Sequence, residues 1–330
     1  MINLHKFYYK DYFSGIDFSS ITKKEKIEEK KKQRKELESK KDPVTRNVTI
    51  PNLDKEVKRL GDDLERITNS NEQSISERNK VLIADKYTEE ILKPCNPPRI
   101  YKEDEEKTTP IELKIQYPGL VTGVGIDHEA KIEGEFKLGV HFDWTYGMPV
   151  IYGSSVKGVL RSALIAKTEK GKIVEYDDYF LKQATGKEWS QEEMEILFND
   201  IFNGKSFVKE VENDGKKIRE YQNKSIYERD IFFDAVVKTP DKKGRILCSD
   251  SITPHGDNPL KNPTPLTFLK IAPGCTIEFR FKLTDSDFGG DKKLTAAQKK
   301  TLFEDILKTV GIGAKTNVGY GQLKDPKDAK

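Results

Sequence analysis

Lys157 and Arg161 stand four residues apart in the segment GMPVIYGSSVKGVLRSAL, residues 147–164, so on a helix they share one face. Ser154 and Ser155 precede them where a hydroxyl caps a first turn, and Gly153 lets a second backbone approach. Free N–H groups, a helix dipole, two hydroxyls and two cations match the needs of a phosphate backbone. As plain scaffolding, the same residues would be a solvated face beside tight packing at Gly153 and Gly158. A second stretch tips the balance towards chemistry. GIGAKTNVGYGQL, residues 311–323, sets Gly313, Lys315, Gly319, Tyr320 and Gly321 in a short loop after a helix, with glycines that admit a phosphate or another backbone and a tyrosine suited to a base.

Other chemistry is missing from the chain. Gly204-Lys205-Ser206 has Asn199 where a P-loop needs glycine, and Gly311-x-Gly313 has Thr316 where a dinucleotide fingerprint needs its third glycine. His5, His128, His141 and His255 have no metal-binding spacing, and Cys95, Cys248 and Cys275 form no C-x-x-C pair, so no metal, cofactor or disulfide framework is expected. The cysteines read as buried, inert thiols. Asp127 stands in a loop beside His128 and Glu129, where a single carboxylate reads as solvated.

The elements that must carry these groups come next. Val156, Val159, Leu160, Ala163 and Leu164 form one apolar stripe, so residues 153–164 are an amphipathic helix with its cations off the buried face. Ile111, Leu113, Ile115 and Tyr117 alternate with polar residues, as do Phe136, Leu138, Val140 and Phe142, and again Ile277, Phe279, Phe281 and Leu283; each set predicts a half-buried strand. IFFDAVV, residues 231–237, is short enough for a fully buried strand. Residues 167–190 read as an insertion, followed by a helix over 191–202. The last helix opens on a Thr295/Gln298 capping box and ends at Gly311 as a left-handed cap, and a polar tail frays after Leu323.

Residues 1–99 have another character. An aromatic arm (Phe7, Tyr8, Tyr9, Tyr12, Phe13, Phe18) precedes a Lys/Glu-rich stretch in which only Ile27 and Leu37 are apolar between Ile21 and Lys41. Leu53, Val57, Leu60, Leu64 and Ile67 make a helical seam, a further helix is expected from about Ser74 to Leu92, and Pro94, Pro97 and Pro98 end it. The arm is expected to dock, and residues 20–95 to be separable from a core over 100–330. Lys plus Arg is 58 against 55 for Asp plus Glu, so the net charge of +3 marks no nucleic-acid binder and any basic surface is local. No run of 18 apolar residues and no leader-type h-region occurs, which gives a cytoplasmic expectation with no membrane partner.

From residue 110 the order, insertions aside, is strand, helix, strand, strand, helix, strand. This is an α+β, ferredoxin-like βαββαβ core of the kind RNA-recognition modules use, here without an RNP1 string. PVIYGSSVKGVLRSAL, FFDAVV, ITPH with NPTPLTFLKIAPG, and GIGAKTNVGYGQL, in that order, resemble the RAMP proteins of type III CRISPR systems, and most the subunit that caps the backbone filament of type III-B (Cmr) effector complexes. The resemblance covers about residues 105–325 and leaves the charged region 20–95 unexplained. It implies a non-catalytic subunit that binds the 3′ part of a CRISPR RNA for antiviral defence and packs on backbone and small helical subunits, with target RNA a further contact. Ser154, Ser155, Lys157, Arg161, Gly313, Lys315, Gly319, Tyr320 and Gly321 would then face RNA or a neighbour. Two alternatives remain open: a metal-dependent RAMP ribonuclease acting through Asp127, since backbone RAMP subunits cut target RNA with an aspartate in a comparable loop, and a protein-binding adaptor resting on the charged helices.

Overall fold

The computed structural model describes residues 3–39, 42–84, 86–95, 110–123, 132, 134–213, 216–253, 265–287 and 293–328. β1 (Ile111–Ile115) buries every second residue, as its alternation requires. β2 (Lys137–Leu138), β3 (His141–Phe142) and β4 (Pro149–Ile151) lead into the central helix Gly153–Ser162. The insertion is a hairpin of β5 (Ile165–Glu169) and β6 (Lys172–Tyr176), a short helix Tyr179–Thr185, a helix Gln191–Asn203 and a second hairpin of β7 (Lys205–Asn213) and β8 (Lys216–Asn223). The Gln191–Asn203 helix starts on a Ser190/Glu193 capping box and stops at Gly204 in the left-handed region. Then come β9 (Ile231–Phe232), β10 (Ala235–Thr239), β11 (Leu247–Ile252), β12 (Leu266–Ile271), β13 (Thr276–Phe279), β14 (Phe281–Lys282), β15 (Ser286–Asp287) and β16 (Lys293–Leu294). The final helix Ala296–Val310, with its Thr295/Gln298 capping box formed, precedes β17 (Leu323–Lys324).

The main sheet has six strands in the order β17-β1-β13-β10-β4-β3, every pair antiparallel. Leu113 faces Ile277 across β1 and β13, and Lys114 faces Lys324 across β1 and β17. One core forms from Leu113, Ile277 and Val237 of the sheet, Val156 and Leu160 of the central helix, and Leu302, Phe303 and Ile306 of the final helix. Each such side chain contributes about 1.5–3 kcal/mol on leaving water. A smaller sheet, β11-β12-β2, packs beside it, with β2 parallel to β12.

The structure corrects several sequence expectations. The 136–142 pattern buries Phe136, Leu138, Val140 and Phe142 as expected, but β2 and β3 serve different sheets because Gly139 and Val140 separate them. Likewise 231–237 and 277–283 each split: β9 pairs with β14, while β10 and β13 pair in the main sheet. The tail after Leu323 does not fray at once, since β17 is the edge partner of β1.

The N-terminal region also departs from expectation. Residues 50–84 form a single 35-residue helix, so the expected break before Ser74 is absent. The partner of its seam is the Lys/Glu-rich helix Ser19–Glu38, which buries Ile27 and is linked to it by Arg34–Asp54 (2.6 Å) and Lys30–Glu56 (2.8 Å) pairs. Few contacts with the β region were expected, yet Leu4, Tyr8, Tyr12, Ile75, Leu82 and Leu92 belong to the same core as the sheet. Tyr8 Oη donates to the Phe136 carbonyl (2.6 Å), and Tyr12 Oη accepts from the Phe136 N–H (2.9 Å) while donating to Asn79 (2.5 Å). The aromatic arm therefore docks, as its composition demands. The proposed boundary near residue 100 lies outside the described residues.

Candidate nucleic-acid interface

The central helix buries Val156 and Leu160 and leaves Ser154, Ser155, Gly158, Arg161 and Ser162 exposed, the division its stripe requires. Its cap is not the one the sequence suggests. Neither serine bonds the first turn; the Gly153 N–H donates to the Asp234 carboxylate at 2.6 Å. Asp234 occupies the break between β9 and β10, so the residue that splits IFFDAVV is the one that caps the helix. An internal carboxylate thus sits on the positive helix end where a phosphate was expected. Gly153 is required for close packing, since a Cβ there would stand inside contact distance of the Phe232 carbonyl oxygen.

The cations remain available along the helix flank. Lys157 Nζ lies 5.8 Å from the centre of the Phe232 ring and Arg161 Cζ lies 5.0 Å from that of Phe198, so each charged head rests over an aromatic ring. Among the described residues neither has a carboxylate within ion-pair distance. Burial, then the charges of Arg161 and Arg229, hold the Lys157 amine below the usual lysine range. That makes Arg229 the third cation of the group, one that no motif revealed.

Arg229 is fixed by its surroundings. Its Nε donates to the Lys224 carbonyl at 2.8 Å, and its side chain fills the space above Gly204, where a Cβ would come within 2.7 Å of Cδ. The adjacent Asp230 accepts from the fully buried Lys299 (2.5 Å) and from the Thr284 N–H (2.7 Å). Asp200, bonded to Lys224 at 2.5 Å, lies 3.8 Å from the same Lys299. A buried ion network therefore ties the insertion to the core and sets the position of the third cation.

The glycine-rich loop sits elsewhere. Gly311 ends the final helix with φ 74° and ψ −173°, a glycine-only conformation but not the left-handed cap expected. Gly313 and Gly321 also have positive φ, and a Cβ at either would stand inside contact distance of an internal carbonyl, of Val121 and Ile312 respectively. The loop is stitched to the chain after β1 by Ala314 N–H to Val121 (2.8 Å) and Gly321 N–H to Gly119 (2.8 Å). Tyr320 is buried, its hydroxyl donating to Asp250 at 2.7 Å and its ring covered by Phe268 and Lys270. Lys315, at φ 60°, and Gly319 are half-buried on the outer side, with only Pro118 Cδ, at 3.6 Å, near a Cβ built on Gly319.

The structure thus brings Ser154, Ser155, Lys157 and Arg161 together and adds Arg229. It places Gly313, Lys315, Gly319, Tyr320 and Gly321 at the other end of the sheet: Ile151, before the helix, pairs with Ala235, at the Ile111 end of β1, whereas the loop binds residues beyond Ile115. Asp127, with His128 and Glu129, lies outside the described residues. Burial pushes the Cys248 and Cys275 thiols up, Cys275 the more deeply buried of the two. Among the described residues no group of three or more His, Cys, Asp or Glu is placed to hold a metal ion, and no helix is long and apolar enough to cross a membrane.

The model of the RAMP superfamily matches residues 112–324. No curated protein matches the chain. Among solved structures, the chain is similar to one in the cryo-EM structure of the Type III-B Cmr-beta bound to cognate target RNA, with 19% identity, 98% of this chain and 94% of that chain covered, and a TM-score of 0.43. It is also similar to Cmr6 from Pyrococcus furiosus, with 22% identity, 66% of this chain and 97% of that chain covered, and a TM-score of 0.35.

Proposed function

The chain belongs to the RAMP superfamily, and from that premise we propose that it is a non-catalytic, cytoplasmic RNA-binding subunit of a type III-B CRISPR effector complex. In this reading it holds the 3′ part of the CRISPR RNA and caps the backbone filament, with target RNA and the neighbouring RAMP and small helical subunits as its other partners. A ferredoxin-like core is supported by the strand order: β17, β1, β13 and β10 stand as fourth, first, third and second strands, with the central helix between first and second and the final helix between third and fourth.

One observation carries the RNA reading. Lys157 and Arg161 stand one turn apart on the helix flank without a carboxylate among the described residues to neutralise either, and Arg229 is near enough for its charge to act on the Lys157 amine, which is how a phosphate track differs from an ordinary solvated helix face. Because Asp234 already occupies the helix end, phosphates bind along the flank, with the Ser154 and Ser155 hydroxyls as donors.

Affinity purification of the tagged chain from its native cell, with sequencing of bound RNA, tests the proposal. CRISPR RNA recovered together with backbone subunits supports it. Recovery of partner proteins without RNA would replace it with the adaptor reading. In the same preparation Mg²⁺ or Mn²⁺ should release no fragments from labelled target RNA, and cleavage lost in Asp127→Ala would replace it with the ribonuclease reading.

A further inference from the structure

The turn between β3 and β4 carries Trp144 with 77% of its surface exposed, an unusual position for the largest apolar side chain. Its indole lies 4.5 Å, centre to centre, from the His5 ring and 6.3 Å from the Tyr9 ring, to which it is nearly parallel at 12°. Tyr9 is exposed as well, and burial, then the nearby Tyr152 phenol, push its own phenol up. Tyr152 stacks on His141 at 4.9 Å and is the residue from which the central helix departs. The aromatic cluster of Trp144, His5 and Tyr9 thus lies towards Tyr152, the residue from which the helix carrying Ser154, Ser155 and Lys157 departs.

This surface is rigid. The Asp143 carboxylate accepts the N–H groups of Thr145 (2.8 Å) and Tyr146 (2.6 Å), so its charge is turned into the turn. The His5 N–H donates to the Gly147 carbonyl at 3.2 Å, and Asn3 packs so tightly on Gly147 that no Cβ would fit. The arm thereby locks its rings against those of the turn, so a flat ligand would meet them without first ordering a loop. The arm brings Lys10 close enough to act on the His5 ring, while Lys6 is paired with Asp11 at 3.4 Å, and the patch holds aromatic rather than aliphatic side chains. Exposed rings of this kind beside a cationic track are the apparatus of single-strand binding, since every base offers a π-face.

We propose that Trp144 and Tyr9 form a base-stacking platform for single-stranded RNA, whose phosphates continue past Tyr152 onto Lys157 and Arg161. The platform rests on the RNA reading of the central helix, and the test separates the two.

The full-length chain is titrated with a labelled oligouridylate and with an abasic strand of the same length, and anisotropy and tryptophan fluorescence are read together. Trp189, the other tryptophan, is only 6% exposed and gives a constant background. Expected are quenching by the oligouridylate but not by the abasic strand, loss of that quenching in Trp144→Phe when bound RNA is held at saturation, and affinity lowered about 5- to 150-fold in Trp144→Ala with an unchanged salt slope, because no phosphate contact is lost. Binding by anisotropy with Trp144 fluorescence unchanged, or equal affinity for the abasic strand, overturns the platform, leaves the cationic track standing and reassigns the rings to a protein neighbour. Absence of any binding overturns both readings.

Discussion

Replacing Lys157 and Arg161 by alanine removes two of the three cations that line the central helix flank and leaves Arg229. If each neutralises one phosphate of a single strand, the group contributes about 2.1 to the slope of log affinity against log salt, and the double variant retains about 0.7. Over a fourfold salt change, from roughly 50 to 200 mM, the group's share of the affinity loss is then about 18-fold in the wild type and about threefold in the variant. Contacts elsewhere on the chain add equally to both proteins, so the measured quantity is the difference of about 1.4 in slope. The fold should survive, because both side chains lie over rather than within the core, and loss of the Arg161–Phe198 contact costs about 0.5–1 kcal/mol. Fluorescence anisotropy with labelled RNA at several salt concentrations reads the slope, and circular dichroism checks the fold. Equal slopes in the two proteins would refute the argument, because the charges would then be a solvated face.

Lys157 also sets a pH dependence: burial lowers its amine, bound phosphate favours its charged form, and affinity should therefore fall as pH rises through the lowered value. Lys157→Arg, which stays charged, should flatten the affinity profile on the alkaline side, below the pH at which an ordinary lysine titrates. Gly321→Ala should lower the melting temperature more than Gly319→Ala, because a Cβ at Gly319 meets only Pro118 Cδ at an ordinary 3.6 Å and carries just the strain of positive φ, about 1–3 kcal/mol, while one at Gly321 also meets the Ile312 carbonyl. Lys299→Met leaves Asp230 and Asp200 without their buried cation and should cost about 3–5 kcal/mol in chemical denaturation, with no loss expected at an exposed control such as Lys187. Tyr12→Phe strands the Phe136 N–H and should cost about 1–3 kcal/mol, and a chain starting at Arg99 should show no cooperative melt.

Patterns of one period were legible in the sequence. The stripe of the central helix, the alternation of β1, and the capping box at Thr295 depend on neighbours within a few residues, and the structure builds each of them. Breaks were not legible. Residues 231–237 read as one buried strand because periodicity cannot tell that Asp234 leaves the ladder to cap a helix 81 residues away in sequence. The pairing of Ser19–Glu38 with Ile50–Ala84 was hidden because the Lys/Glu-rich helix buries little apolar surface and relies on ion pairs. At the candidate site, Ser154, Ser155, Lys157 and Arg161 were found from spacing, whereas Arg229 stands beside them only through the fold. Gly313, Gly321 and Tyr320 carry the composition of a ligand loop, but their nearest partners are this chain's own Val121, Ile312 and Asp250.

Photocrosslinking of the full-length chain to 4-thiouridine-labelled RNA, with the attached peptides identified by mass spectrometry, tests the central claim most directly. Crosslinks should fall on the peptide containing residues 153–162 and on that containing Arg229, and should fade in the Lys157→Ala, Arg161→Ala double variant. Crosslinks confined to the 311–321 loop or to the helices of residues 19–84, with the central helix unmarked, would contradict it.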